Sequence, residues 1–104
     1  MNAIENQVRE LVAVELAAAN ERFPQFHSAH EGWAVILEEV DEAEAEMKTI
    51  RGNVNGMFYL IRNNVDAKWV VEKTEYAAIQ TACEAIQVAA MAQKFLDMED
   101  HNNG

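Results

Sequence analysis

The sequence predicts an all-α fold, a small helical bundle, on three observations. Apolar residues recur at spacings of three and four through long runs, which places them on one face of a helix. The apolar content is mostly Ala, Val, Ile, Leu and Met, a composition that favours helices over turn-rich sheets. There is only one Pro and there are only four Gly in 104 residues, too few for the many turns of a β-sandwich. The length suits a single domain spanning 1–104, and half the residues are apolar, so a core can form. A domain of this size gains from burying a further face against another copy.

The first helix is expected over 3–22. Ile4, Val8, Leu11, Val12, Leu16 and Ala19 form its apolar stripe, and Glu5, Arg9, Glu15 and Glu21 lie largely opposite. Pro24 stops it, and Phe23 and Phe26 in the short connection are expected to pack down on the core. Ser28-Ala29-His30-Glu31 reads as a capping box, so the second helix starts near Ala29. Its core face is Trp33, Ile36, Leu37, Val40, Ala43, Met47 and Ile50, and Gly52 is the expected C-terminal stop, with Lys48 and Arg51 set against the helix dipole.

Residues 53–62 are apolar enough to pack and read as a further short helix after a break. Asn64 or Asp66 is the expected N-cap of a last helix running from about Ala67 to Met98, with a bend near Lys73-Thr74. Residues 99–104 are expected to be a polar, frayed tail. From Ala77 to Ala92 the last helix is apolar almost all round, which predicts a central position in a bundle or in a homo-oligomer, a dimer or tetramer. Cys83 has no partner for an internal disulfide and reads as a small buried hydrophobe.

The net charge is −10 with a pI near 4.6, and eight Lys and Arg are scattered along the chain. That excludes nucleic-acid binding through a basic face. There is no basic stretch leading into an apolar run and no run of eighteen apolar residues, so neither a membrane partner nor export is expected, and the expected location is cytoplasmic.

The most informative stretch is acidic. Six carboxylates fall between Glu38 and Glu46, and they ride on an apolar helical pattern rather than in a disordered tail. At about 100° per residue, Glu39, Glu42 and Glu46 share a stripe beside the core face. A solvated acidic face is the simpler account of such a run taken alone. The last helix alters the balance, because Glu84 and Gln87 are the only long polar side chains between Ala82 and Ala92 and share a face. A carboxylate in such surroundings needs a cation, hydrogen-bond donors or water. Glu39-x-x-Glu42 facing Glu84-x-x-Gln87 would surround an all-oxygen site of the kind Mg²⁺ or Mn²⁺ prefers. A di-iron bundle needs Glu-x-x-His on two helices, and none of His27, His30 and His101 has Glu three residues before it.

The run Phe26-His27-Ser28-Ala29-His30-Glu31-Gly32-Trp33-Ala34-Val35-Ile36-Leu37-Glu38-Glu39-Val40-Asp41-Glu42, followed later by Glu84-Ala85-Ile86-Gln87-Val88-Ala89-Ala90-Met91-Ala92, resembles the MazG-like nucleotide pyrophosphohydrolases, and among them the short phage and prophage versions. The resemblance covers the second and last helices well and the segment between them poorly. It implies an all-α enzyme that hydrolyses a nucleoside triphosphate to the monophosphate and pyrophosphate. It implies Mg²⁺, or Mn²⁺, held by Glu39, Glu42 and Glu84, with Gln87 standing where the family pattern has Asp. Gln offers a neutral oxygen in place of a charged one.

On this reading Glu38 or Glu42 is the catalytic carboxylate that orients or deprotonates water. Lys73 and Lys94 are candidate phosphate contacts, weighed against solvated surface lysines. Trp33 is a candidate base-stacking group, weighed against a simple core position. The alternative reading is a non-catalytic helical phage or prophage module with a decayed metal site that binds a nucleotide or a protein partner.

Overall fold

The computed structural model describes residues 2–98, and they form three helices with no strand among them. These are α1 (Asn2–Arg22), α2 (Ala29–Arg62) and α3 (Lys68–Leu96). The expected all-α class is therefore the observed one. The expected tail over 99–104 lies outside the described residues. No helix is long and apolar enough to cross a membrane.

α1 ends where Pro24 requires, and the six-residue connection that follows is pinned on both sides. The Gln25 amide donates to the Lys94 carbonyl at 2.8 Å, tying the connection to the far end of α3. The start of α2 follows the expected cap with one difference. Ser28 Oγ accepts from the Glu31 amide at 3.1 Å, but the Glu31 carboxylate reaches past Ser28 to the His27 amide, at 2.7 Å, and to the His27 ring. These bonds hold the Glu31 carboxyl below its ordinary range.

Gly52 does not stop α2, which corrects the sequence expectation and turns residues 53–62 from a separate short helix into a continuation. A C-terminal glycine stop needs a left-handed backbone, and no described glycine adopts one. Half-buried positions instead carry on through Ile50, Asn53, Met57 and Leu60, so packing outweighs the intrinsic helix cost of Gly52 and Gly56, about 1 kcal/mol each. The stop falls at Asn64, the one non-glycine residue with positive φ among the described residues, at 57°. The Val65 amide donates to Leu60 O at 2.8 Å and the Asn64 amide to Ile61 O at 3.1 Å, the paired bonds of a Schellman ending. Asn64 therefore closes α2 rather than opening α3. Nor is Asp66 the N-cap of α3, which is Ala67, without a side-chain cap bond; the Asp66 carboxylate, one residue earlier, accepts from the Lys68 amide at 3.0 Å.

α2 and α3 form a long antiparallel hairpin, and α1 packs mainly on α3. With α2 spanning about 51 Å at 1.5 Å per residue, the molecule extends over 62 × 28 × 23 Å. Its radius of gyration is 17.8 Å, against about 13 Å for a compact domain of this length. Among the described residues the buried apolar ones are few, Phe26, Val70, Ala77, Ala90 and Met98, and no large side chain there is fully enclosed. Several expected core residues are out in the open. Trp33 is 55% exposed, Phe23 leaves only Phe26 to pack down, and Cys83 is exposed rather than buried. Helical period placed Trp33 on an apolar face of α2, but no described residue covers that face enough to bury it.

Candidate metal centre

The hairpin is drawn together at one end by Gly32, whose missing side chain lets Phe95 and Phe26 press against the α2 backbone. Two turns further along α2, Glu39 and Glu42 lie three residues apart and therefore on one side of the helix. Glu84 meets them from α3. One carboxylate oxygen from each of the three lies within 4.8 Å of the others. Around a Mg²⁺ with bonds of 2.0–2.1 Å, ligand oxygens stand roughly 3–4 Å apart. The trio is thus within a small side-chain adjustment of a shared cation.

The environment makes this arrangement costly for the carboxylates by themselves. Oε2 of Glu39 and Oε2 of Glu84 are both shielded from solvent and lack a hydrogen-bond partner. No Lys or Arg forms an ion pair with any of the three among the described residues. Removal from water raises the Glu39 carboxyl above its ordinary range, with the charges of Glu42, Glu38 and Glu15 adding to the effect. Glu84 is raised by the same desolvation, then by its hydrogen bond with Glu42 and by the charges of Glu42, Glu39 and Glu46. An all-carboxylate oxygen set of this kind suits a hard divalent cation.

A pH dependence follows from those directions. A carboxyl whose pKa is raised by folding contributes stability below its unfolded pKa and loses it as pH rises through the folded one. Without metal, the melting midpoint should therefore climb as pH falls from neutrality toward the ordinary carboxylate range. Glu84→Gln should flatten that climb in a thermal melt series. An equal climb in the variant would remove the cluster as its source.

A cavity of about 690 Å³ adjoins the cluster on the α1 side. Glu15, Glu31, Glu38 and Glu39 line it together with Gln87, Arg22, His27 and Lys94. Carboxylates and basic groups therefore meet in one space, and the volume is that of an ordinary small-molecule site. Lys94 is not the solvated surface lysine that its sequence context allowed. It is 2% exposed, with Nζ 3.5 Å from the Phe23 carbonyl and 5.2 Å from the centre of the Phe26 ring. Its burial comes from the 23–28 connection folding over the end of α3.

The other candidate residues fall elsewhere. Lys73 lies over the Trp69 ring at 5.4 Å and lines a separate open groove together with Glu46 and Tyr76. Trp33 sits beside His30, ring centres 5.5 Å apart, and lines neither space. Sequence reasoning missed Arg22 and Glu15, because their relation to the site depends on how α1 folds back. The available signal was the brevity of the connection, which obliges the end of α1 to lie near the start of α2. No protein-family model matches this chain, and comparison with curated proteins and with solved structures likewise yields no significant match.

Proposed function

We propose that this chain is a cytoplasmic, Mg²⁺-dependent nucleotide pyrophosphohydrolase of the MazG-like kind, converting a nucleoside triphosphate to its monophosphate and pyrophosphate. The observation that carries the reading is the pair of buried, unpartnered oxygens on Glu39 and Glu84 in a three-carboxylate cluster. Such atoms are expensive to bury unless something cationic meets them. Glu39, Glu42 and Glu84 would hold Mg²⁺ or Mn²⁺, with Gln87 supplying a neutral oxygen from the next turn of α3. The bound cation would neutralise triphosphate charge and acidify a water molecule.

The chain's own residues divide the remaining work. Lys94 and Arg22, which line the cavity, would meet phosphate oxygens. Glu38, solvent-accessible at the cavity edge, takes a proton from attacking water. Glu42, in the same three-carboxylate cluster, is the alternative base.

The test is release of pyrophosphate from the common ribo- and deoxyribonucleoside triphosphates with Mg²⁺ or Mn²⁺. Glu39→Ala should lower it by at least about 100-fold, since even the outer partners of metal ligands typically contribute 10–100-fold. No release from any of these nucleotides would end the enzyme reading. Gln87 favours a second reading, in which the site binds a nucleotide or protein partner without turnover. In that case Gln87→Asp, which restores a charged ligand, should create activity where the natural chain has none.

A further inference from the structure

The exposed apolar residues of α2 are not scattered. Trp33, Leu37, Met47, Val54, Phe58 and Ile61 are each more than two-fifths exposed. With the half-buried Val40 and the exposed Glu44 and Arg51, they occupy every position of one alternating four-three series from 33 to 61. That series is a coiled-coil seam about 120° wide, running nearly the full length of α2 and roughly opposite Glu42. A second series follows the same rhythm on α3: the exposed Val71, Glu75, Ala78, Ala82, Ala85, Ala89 and Leu96 with the half-buried Ala92. Each series leads its helix's inward row by about 100°, and because the helices run antiparallel the two displacements point to the same side of the hairpin. One face therefore carries a large-residue ridge beside a small-residue groove.

We infer that this face is covered by a second copy of the chain, packed through an antiparallel α2–α2 contact centred on Met47. The pattern is self-complementary only in that direction. Running antiparallel about Met47, Leu37 meets Phe58 of the other copy, Trp33 meets Ile61, Val40 meets Val54, and Glu44 meets Arg51. Neither Glu44 nor Arg51 has an ion-pair partner among the described residues of its own chain. A parallel arrangement would instead set Glu44 against Glu44 and Arg51 against Arg51, which like-charge repulsion opposes.

The amount of surface agrees. A compact monomer of 11.7 kDa exposes roughly 5,900 Å², whereas this chain exposes 7781 Å². The excess, about 1,900 Å² with the chain ends included, falls in the range of roughly 1,000–2,500 Å² that each partner buries in an obligate dimer.

The experiment is sedimentation equilibrium on the full chain and on charge-swapped variants, with helical content checked by circular dichroism. The natural chain should sediment at twice 11.7 kDa. Glu44→Arg alone and Arg51→Glu alone should each weaken dimerisation at least tenfold, and the double variant Glu44→Arg/Arg51→Glu should recover it. Both positions are exposed in the single chain, so its own fold does not depend on them. Phe58→Glu supplies a second test: the natural midpoint should rise with protein concentration, and that dependence should vanish in the variant. A natural chain that sediments as a monomer overturns the inference. So do single swaps without effect, or a double swap that recovers nothing.

Discussion

Millimolar Mg²⁺ or Mn²⁺ should raise the melting midpoint of this protein by about 6–20 °C, and Glu84→Gln should raise it without metal while removing the response. The two halves of this result have one origin. Without a cation, folding brings Glu39, Glu42 and Glu84 together with two carboxylate oxygens cut off from solvent and from any donor. The raised pKa of Glu39 and of Glu84 says that the charged forms are less favourable in the fold than outside it. A cation bound only to the folded state stabilises it by about 1.4–2.7 kcal/mol at 10–100 times its dissociation constant. In a domain of this size each kcal/mol moves the midpoint by about 4–8 °C. Replacing Glu84 by its neutral isostere removes one repelling charge and lets an amide donate to Glu42, which stabilises the metal-free form. It also removes a ligand. If the variant melts higher but the natural chain ignores metal, the repulsion is real and the cluster is not a metal site. If the variant melts at or below the natural chain without metal, the account of the cluster itself is wrong.

The helices and most of the cluster were legible before any coordinates, for local reasons. Pro24 cannot continue α1, and Ser28 with Glu31 writes the start of α2 within four residues. Glu39 and Glu42 at one spacing, and Glu84 isolated among apolar residues, announce an acidic pair and a buried acid on helical geometry alone. Gly52 misled because a glycine suits both a left-handed stop and an unremarkable helical site, and only the half-buried residues beyond it decide between them. Asn64 and Asp66 both suit the cap of the next helix by residue type, and only the positive φ of Asn64 shows that it ends the previous one.

Lys94 could not be placed from sequence. Its burial is made by Phe23 and Phe26, some 70 residues away in the chain, and no local pattern reports that contact. Trp33 and Phe58 teach the complementary lesson. Periodicity says that a residue belongs to an apolar face, but not whether the covering surface is in the same molecule. Here α2 has two such faces, and the chain itself supplies α3 for only one of them.

The glycines of α2 should respond to alanine with opposite signs. A Cβ at Gly32 would lie 2.5 Å from Cδ2 of Phe95 and 2.9 Å from Cδ2 of Phe26, while at Gly52 and Gly56 it meets nothing within 4 Å. Alanine improves the helix by about 1 kcal/mol at any interior site, and that gain should appear undiminished at Gly52. At Gly32 it must be set against overpacking, typically 1–3 kcal/mol and occasionally more. The upper end applies, because both approaches are under 3 Å and Phe26 is not free to withdraw: it is buried beneath the Lys94 ammonium, on a connection tied to α3 through Gln25. The net expectation is a loss of about 2 kcal/mol, or about 8–16 °C in midpoint, measured in the same buffer in which Gly52→Ala gains a few degrees. The clash also lies at the end of the hairpin where α2 and α3 are drawn together ahead of Glu39. Gly32→Ala should therefore blunt the metal response well below the unfolding range, although it touches no carboxylate. A variant as stable as the natural chain would show that the α2–α3 approach at Gly32 is looser than drawn. Unchanged metal affinity in a destabilised variant would show that Glu39, Glu42 and Glu84 are held together by their own helices and not by the closure at Gly32.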